Sequence, residues 1–501
     1  MYIYKNSEIR RNEAFTMRQS GIFSYELMEK AANGCVAKIK DLVANTHTKF
    51  SVCCGTGKNG GDGLAIARLL HESGFAVEVF VVSRGSFVDA DTQQNLDKLP
   101  VTPVFVTNEE QVPTVFKGDF IIDALFGIGL NRPVEGVFAK FINAMNISQK
   151  PIIAIDTPSG LFCDCATPNT CVVVEARHTL AIQTPKLAFM FPENDRKVGQ
   201  FHLIDINLVA EEEPQEGLVY YQDNDLCNLL KDRPRNSHKG NYGRALLVCG
   251  SKGKMGAAIL AAKGCLRSGV GLLTTRVPEC GYAIMQTAVP EAMCDVDTNN
   301  DYATCLPEID VPKYDAIGIG PGISLQAEAL LEDIIKQQPR NLVLDADAIT
   351  ILAQHPSWLE LLPPNTVLTP HAEEFRRLTK QHFDSDFDMF SMQQQFSKQH
   401  SVYVVLKGAN TCITAPCGHT YFNSTGNAGM ATGGSGDVLT GIITALLAQH
   451  YAPDIAARLG VYLHGKAGDL ALQHQSVESL TPSDLISHLG EAFNFLRNRG
   501  E

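Results

Sequence analysis

The sequence predicts two α/β domains, each built on a mainly parallel sheet with helices on both faces. Three observations carry this. At 501 residues the chain is longer than a single hydrophobic core organises. Short apolar runs alternate with segments of helical periodicity through both halves. An acidic, proline-containing stretch from Glu211 to Gly217, EEEPQEG, separates the halves and reads as a linker. It puts the boundary near residue 220 and the candidate domains at 1–215 and 216–501.

In the first half, Leu27, Ala31, Cys35, Ile39 and Leu42 recur at helical spacing within residues 24–44, and the apolar run Phe50 to Cys54 follows as a buried strand. Further strands are expected at Ala76 to Val82, Val101 to Val106, Phe120 to Asp123 and Ile152 to Asp156, with a last one ending near Leu208. The second half opens a new series at Arg244 to Cys249. It continues through Asp315 to Ile319, Leu342 to Asp345, Val367 to Thr369 and Val402 to Leu406. No internal repeat is visible, so the halves read as separate folds.

Composition narrows the function classes. With 45% hydrophobic and 19% charged residues the chain can bury substantial cores. A formal net charge of −13 leaves no basic surplus for a nucleic-acid backbone, so nucleic acid is not an expected partner. The start, MYIYKNSEIRRNEAFTM, lacks the apolar core of a secretory signal, and no stretch approaches the roughly 18 apolar residues of a membrane span. A cytoplasmic location without membrane partners is expected. The fourteen cysteines are scattered, several inside apolar strands, and read as reduced thiols. Cys163, Cys165 and Cys171 match no zinc spacing and have no histidine beside them, so they are read as structural.

The run Gly55 to Gly63, GTGKNGGDG, leaves the first strand and enters a helix expected to begin near Asp62. Successive backbone N–H groups at a helix start suit a phosphate, although such runs are also ordinary turns. Asp123 ends the strand FIID and opens ALFGIGLNRP; Asp156 ends IIAID and opens TPSG. Ligands of open α/β sheets sit at the carboxyl ends of strands, so the three segments are expected to converge. Taken singly, each aspartate could instead cap a helix or brace a turn.

Together these segments resemble, in order over residues 1–210, the NAD(P)HX epimerase family with its GxGNNGGDG, DALLGTG and DIPSG motifs. The resemblance implies a Rossmann-like fold that epimerises hydrated NADH or NADPH at C6 of the nicotinamide ring beside a potassium ion. It implies Asn59, Asp123 and Ser159 as potassium ligands and Asp156 as the acid/base. Lys58, Asn59, Gly60, Gly61 and Asp62, with Gly127, Ile128, Gly129, Leu130, Asn131, Arg132 and Pro133, become the substrate loops. Lys58 stands where the family usually has asparagine, and Thr157 where it has Ile or Val.

In the second half the run Asn427 to Gly441, NAGMATGGSGDVLTG, leads into an apolar helix. Its glycines let backbone amides approach a transferring phosphoryl group, and Asp437 at the helix entrance can take a hydroxyl proton. A glycine-rich helix start capped by Asp437 is the plainer alternative. Gly318 to Gly322, Thr369 to His371 and Lys407 to Thr411 each follow a predicted strand. His238 to Gly243 precedes the first strand of this half and Gly250 to Ala257 follows it.

Through HKGNYG, GPG, TPH, KGANT and NAGMATGGSGDVLTG, residues 225–490 resemble the NAD(P)HX dehydratase family, a branch of the ribokinase-like kinases. The resemblance implies that Lys407, Gly408, Ala409, Asn410, Thr411 and Gly436 contact the nucleotide. It implies Ala257, Gly322, His371 and Asp437 as contacts of the hydrated dinucleotide, with Asp437 catalytic, Mg²⁺ on the nucleotide phosphates and a homo-oligomeric assembly. ADP is the expected donor, as in bacterial members with this domain order, and ATP the alternative. The loops around Glu373 and Ala428 depart from the family's TPHPGE and NPGM. Two other readings stay open: a kinase for a small vitamin-like alcohol, and an N-terminal half that binds without catalysing.

Overall fold

A computed structural model describes residues 1–499 apart from 44, 46, 86, 87, 215, 306 and 307. The chain divides into two compact units, 2–215 with 385–387, and Met1 with 216–384 and 388–501. No helix among the described residues is long and apolar enough to cross a membrane.

The first unit runs α1 (Asn6–Ser20), α2 (Ser24–Leu42), β1 (Lys49–Cys54), α3 (Lys58–Glu72), β2 (Ala76–Val82), α4 (Ala90–Asp97) and β3 (Val104–Val106). It continues with β4 (Phe120–Ala124), α5 (Gly136–Ile147), β5 (Ile152–Ile155), β6 (His178–Ile182), α6 (Asp195–Val198) and β7 (Gln200–Ile204). Its sheet, in the order β3-β2-β1-β4-β5-β6-β7, is parallel throughout. Side chains alternate across it: Val52 and Cys54 pack with α2 and α3, while Cys53 faces the other core with Phe141 of α5. The strand order reverses between β1 and β4, which opens a crevice at their carboxyl ends.

The second unit contains β8 (Leu218–Tyr221), α7 (Asp223–Leu226), β9 (Arg244–Val248), α8 (Met255–Arg267), β10 (Leu272–Val277), α9 (Tyr282–Ala288), β11 (Met293–Val296) and β12 (Ala316–Ile319). Then follow α10 (Glu328–Lys336), β13 (Leu342–Leu344), α11 (Ala346–Gln354), β14 (Val367–Leu368), α12 (Ala372–Thr379), α13 (Asp386–His400, all but its first two residues in this unit), β15 (Tyr403–Leu406), β16 (Cys412–Thr414) and β17 (Thr420–Asn423). Helices α14 (Ser435–Ala448), α15 (Pro453–Ala471) and α16 (Pro482–Asn498) close the unit. The ten strands order as β11-β10-β9-β12-β13-β14-β15-β16-β17-β8, parallel as far as β15. Beyond it the two hairpin pairings of β16 are antiparallel, and β8 joins β17 in parallel. Here too the order reverses, between β9 and β12.

Helices α8 and α14 pack backbone to backbone, because Gly264 and Gly441 sit at their crossing. A Cβ on Gly441 would lie 2.0 Å from the Ala261 carbonyl oxygen, and one on Gly264 2.7 Å from that of Val438. This close fit holds the two helix starts side by side at the carboxyl edge of the sheet.

Several expectations need correction. The helix after β1 starts at Lys58, one turn before Asp62, so the glycine run is mostly helix. The third strand is only Val104–Val106, and the last strand of the first unit ends at Ile204. Helix α1 and strands β6, β10 and β11 carry too little apolar alternation to be read. In β10 the reason is specific: Arg276 is fully buried, held by Asp295 at 3.0 Å and Asp297 at 2.8 Å, so a core position reads as a surface one.

Candidate functional site

At the crevice of the first unit the chain leaves β1 and turns sharply into α3. The Gly55 N–H donates to the Ala124 carbonyl at 3.0 Å. A Cβ on Gly55 would meet the Leu125 carbonyl oxygen at 2.1 Å, and one on Gly60 would meet that of Gly55 at 1.9 Å. Only glycine fits either place. Helix α3 has no side-chain cap at Gly57, so its leading amides face the crevice uncapped.

A cavity of about 1010 Å³ opens there, lined by Lys58, Asn59, Asp62, the loop Gly127 to Pro133 and Asp156. The three predicted segments therefore meet. Gly60 and Gly61 do not reach its wall; they are buried against Gly55 and against Met28 and Thr92. The cavity also takes Arg10 and Glu13 from α1, a helix the sequence did not reveal, and Arg84 after β2, which no motif marks. Arg10, Lys58, Arg84 and Arg132 give it four cationic side chains, enough to attract a diphosphate. Burial pushes the Glu13 carboxyl up, and burial with the Asp156 and Glu13 charges pushes Asp62 well above the carboxylate range.

Asp156 follows β5 in the left-handed region at φ 63°, which aims its carboxylate at a second residue the sequence did not single out. Lys186 Nζ, 1% exposed, donates to Asp156 Oδ1 at 2.5 Å and to the carbonyls of Ile182 and Thr184 at 3.0 Å each. Nothing in the spacing of QTPK signals this. All three ammonium protons are committed, which fixes Asp156 and leaves its Oδ2 unpartnered among the described residues.

Below the cavity Asp123 is fully buried. It accepts from Ser159 N–H at 2.8 Å, Ser159 Oγ at 2.6 Å and Leu125 N–H at 3.3 Å. Burial nevertheless pushes its pKa up to about 6. Both polar atoms of the buried Asn59 amide lack a hydrogen-bond partner among the described residues, an expensive arrangement unless something else satisfies the oxygen. One carboxylate, a hydroxyl and an orphaned amide oxygen are hard oxygen donors of low total charge, and they fit a monovalent cation.

In the second unit the residues after β9, β12, β13, β14 and β15 converge on the start of α14. Lys407 Nζ donates to Asp345 Oδ1 at 2.8 Å, and Thr440 Oγ1 to Asp345 Oδ2 at 2.7 Å. A Cβ on Gly436 would sit 3.3 Å from Lys407 Nζ, so Gly436, Lys407 and Asp345 are neighbours. Burial, then the Asp345 charge, pushes Asp437 up to about 7, against the pull of Lys407. Burial opposes the charge on Lys407, but Asp345 and Glu374 hold its pKa above the ordinary value.

Lys254 pairs with Asp347 at 3.0 Å, and Gly322, at φ 66°, lies against Lys254 and Ala257. His371 bridges Lys407 through the backbone and caps α12, its Nδ1 accepting from the N–H groups of Glu373 and Glu374. Gly408 to Thr411 form the turn between β15 and β16, closed by Thr411 Oγ1 on the Gly408 carbonyl at 3.0 Å, with Gly408 and Ala409 exposed. Asp345, Asp347, Glu374 and Thr440 are the additions here. Asp345 ends an apolar run, the same signal that marked Asp123 and Asp156.

Two open α/β sheets, each with an uncapped glycine-rich turn and a perturbed carboxylate at its reversal point, define a two-site enzyme acting on phosphate-bearing ligands. A family model described as NAD(P)H-hydrate dehydratase matches residues 245–490, and one described as YjeF-related protein N-terminus matches residues 24–188. The bifunctional NAD(P)H-hydrate repair enzyme Nnr of Thermofilum pendens is 32% identical, over 99% of this chain and 97% of its own length. The enzyme of the same name from Coxiella burnetii is 33% identical over 97% and 98%. A ribokinase-like superfamily protein from Enterococcus faecalis superposes with a TM-score of 0.51 at 31% identity, covering 57% of this chain and 99% of that one. The chain belongs to the family of bifunctional NAD(P)H-hydrate repair enzymes.

Proposed function

We propose that the first unit epimerises hydrated NADH and NADPH at C6 and that the second dehydrates the S epimer back to NADH or NADPH at the expense of ADP or ATP. The observation that carries this is Asp437, poised near neutrality among Asp345, Lys407 and the amides that open α14. Hydroxide leaves C6 poorly, whereas phosphate leaves readily once the ring nitrogen pushes electrons. Asp437 takes the C6 hydroxyl proton, the oxygen attacks the terminal phosphoryl group, and the donor's bridging P–O bond breaks. The C6–O bond then breaks as a proton leaves the adjacent ring carbon. The amides of Gly434 to Gly436 and Lys407 meet the phosphoryl oxygens. A Mg²⁺ carried on the nucleotide would neutralise phosphate charge beside Asp345 and Asp347.

In the first unit Asp156, fixed by Lys186, exchanges the proton that inversion at C6 requires. Asn59, Asp123 and Ser159 would hold potassium, which supplies a fixed positive charge next to the loop. Arg10, Lys58, Arg84 and Arg132 bind the substrate's diphosphate. Incubating the purified protein with mixed epimers of hydrated NADH and either nucleotide, and following the dihydronicotinamide absorbance, tests both activities. Full recovery is expected from the wild type, recovery of the S share alone in the first minutes from Asp156→Ala, and none from Asp437→Asn. Phosphorylation of a vitamin-like alcohol with the hydrate untouched would overturn the assignment.

A further inference from the structure

A cavity of about 590 Å³ in the second unit lies at the opposite ends of the helices that shape the dehydration site. Ser268 and Gly269 follow the last turn of α8 there, and Gln449 to Tyr451 follow that of α14. Gln449 Nε2 ties the two ends together by donating to the Ser268 carbonyl at 2.9 Å. Helices of 13 and 14 residues put this cavity roughly 20 Å from Asp437. It is therefore not part of the site already described.

Its wall is strongly basic in a chain of net charge −13: Lys231, Arg233, Arg267 and Arg497 face a single carboxylate, Asp232. Part of this charge serves the helix ends. Lys231 Nζ donates to the carbonyls of Gln449 and His450 at 3.2 and 2.7 Å, and Arg233 donates to the Gly269 carbonyl and the Gln449 side chain. Arg497 donates to the Lys231 carbonyl at 3.1 Å and reaches Asp232, which is 99% exposed, at 3.6 Å. Those contacts already neutralise the helix carbonyls, and Arg267 remains beyond them. It is exposed and has no hydrogen bond or ion pair among the described residues. The Arg233 guanidinium lies over the Tyr242 ring, 3.9 Å from its centre, and Tyr451 and Phe493 add apolar wall.

We propose that this cavity binds a phosphate-bearing small molecule of mononucleotide size, its phosphate on Arg267 and Arg497 and its ring against Tyr451 and Phe493. Guanidinium groups meet phosphate oxygens in pairs, and a cavity of this volume with apolar walls matches ordinary small-molecule sites.

Hydrogen-exchange mass spectrometry on the full chain tests it, with AMP as probe, inorganic phosphate as the bare anion and adenosine as the uncharged control. AMP is expected to protect residues 231–242 and 449–451, phosphate to do so more weakly, and adenosine not at all. Arg267→Glu, a change at an unpartnered exposed side chain, should weaken that protection at least tenfold in AMP concentration. It should leave dehydratase turnover, and protection of 434–437, as in the wild type. Protection by AMP confined to 250–257 and 434–437, or protection at 231–242 that survives Arg267→Glu unchanged, would overturn the proposal.

Discussion

Replacing Asp437 by asparagine should destroy dehydration and stabilise the second unit, with a gain that depends on pH. Burial and the neighbouring Asp345 charge raise this carboxyl from its ordinary 3.8 to about 7. At about 1.4 kcal/mol per tenfold change, holding it ionised in the fold above pH 7 costs up to about 4 kcal/mol relative to the unfolded chain. The sign follows from the direction. A folded pKa above the unfolded one gives a contribution fully present below pH 3.8 and lost as pH rises through 7. The substituted amide carries no charge to lose. Calorimetry of wild type and Asp437→Asn should therefore show similar melting of the second unit near pH 4. At pH 8 the variant should melt higher, by the order of 10 °C for the full energy. Turnover of the wild type should fall about tenfold per pH unit below 7 as the base protonates. An equal melting difference at both pH values, or none at pH 8, would show that Asp437 is not the strained carboxylate inferred here.

Gly433 has nothing within 4 Å of a built Cβ, so Gly433→Ala should melt as the wild type does while raising KM for the phosphoryl donor about tenfold or more; an unchanged KM in steady-state assays would remove the phosphate from that turn. Because Asp123 carries a pKa of about 6, the potassium concentration for half-maximal epimerisation should rise as pH falls from 7 to 5, measured by epimer exchange. Lys186→Met removes a buried charge but strands Asp156, so we expect epimerisation to drop by two orders of magnitude or more with dehydration of the S epimer intact. Gly60→Ala, whose Cβ would overlap the Gly55 carbonyl, should collapse the first site and lower the melting of that unit in the same scan.

The glycine runs and the strand-end aspartates were legible because their chemistry is local. A turn that must bring backbone amides to an anion needs glycine at particular steps, and a carboxylate at a strand end needs only its neighbours in the chain. Gly55, Asp123, Asp156 and Asp437 could all be named on that ground, with Gly436 reached through the family resemblance, as could two α/β halves divided by an acidic linker. Lys186, Arg10 and Glu13 could not. Lys186 reaches Asp156 across the fold and the other two reach the cavity from α1, all from positions with no distinguishing spacing. Arg276 shows the same limit in the core, where two distant aspartates make a buried position look exposed.

Sequence alone determined which residue types stand at the ends of the strands, since strand, turn and helix start follow from neighbours along the chain. The tertiary structure decided which of those ends meet and what surrounds each carboxylate. Burial and long-range partners set those properties: the Lys186 clamp on Asp156, the Asp345 charge beside Asp437 and the unmatched amide of Asn59 exist only once the sheets have brought distant segments together.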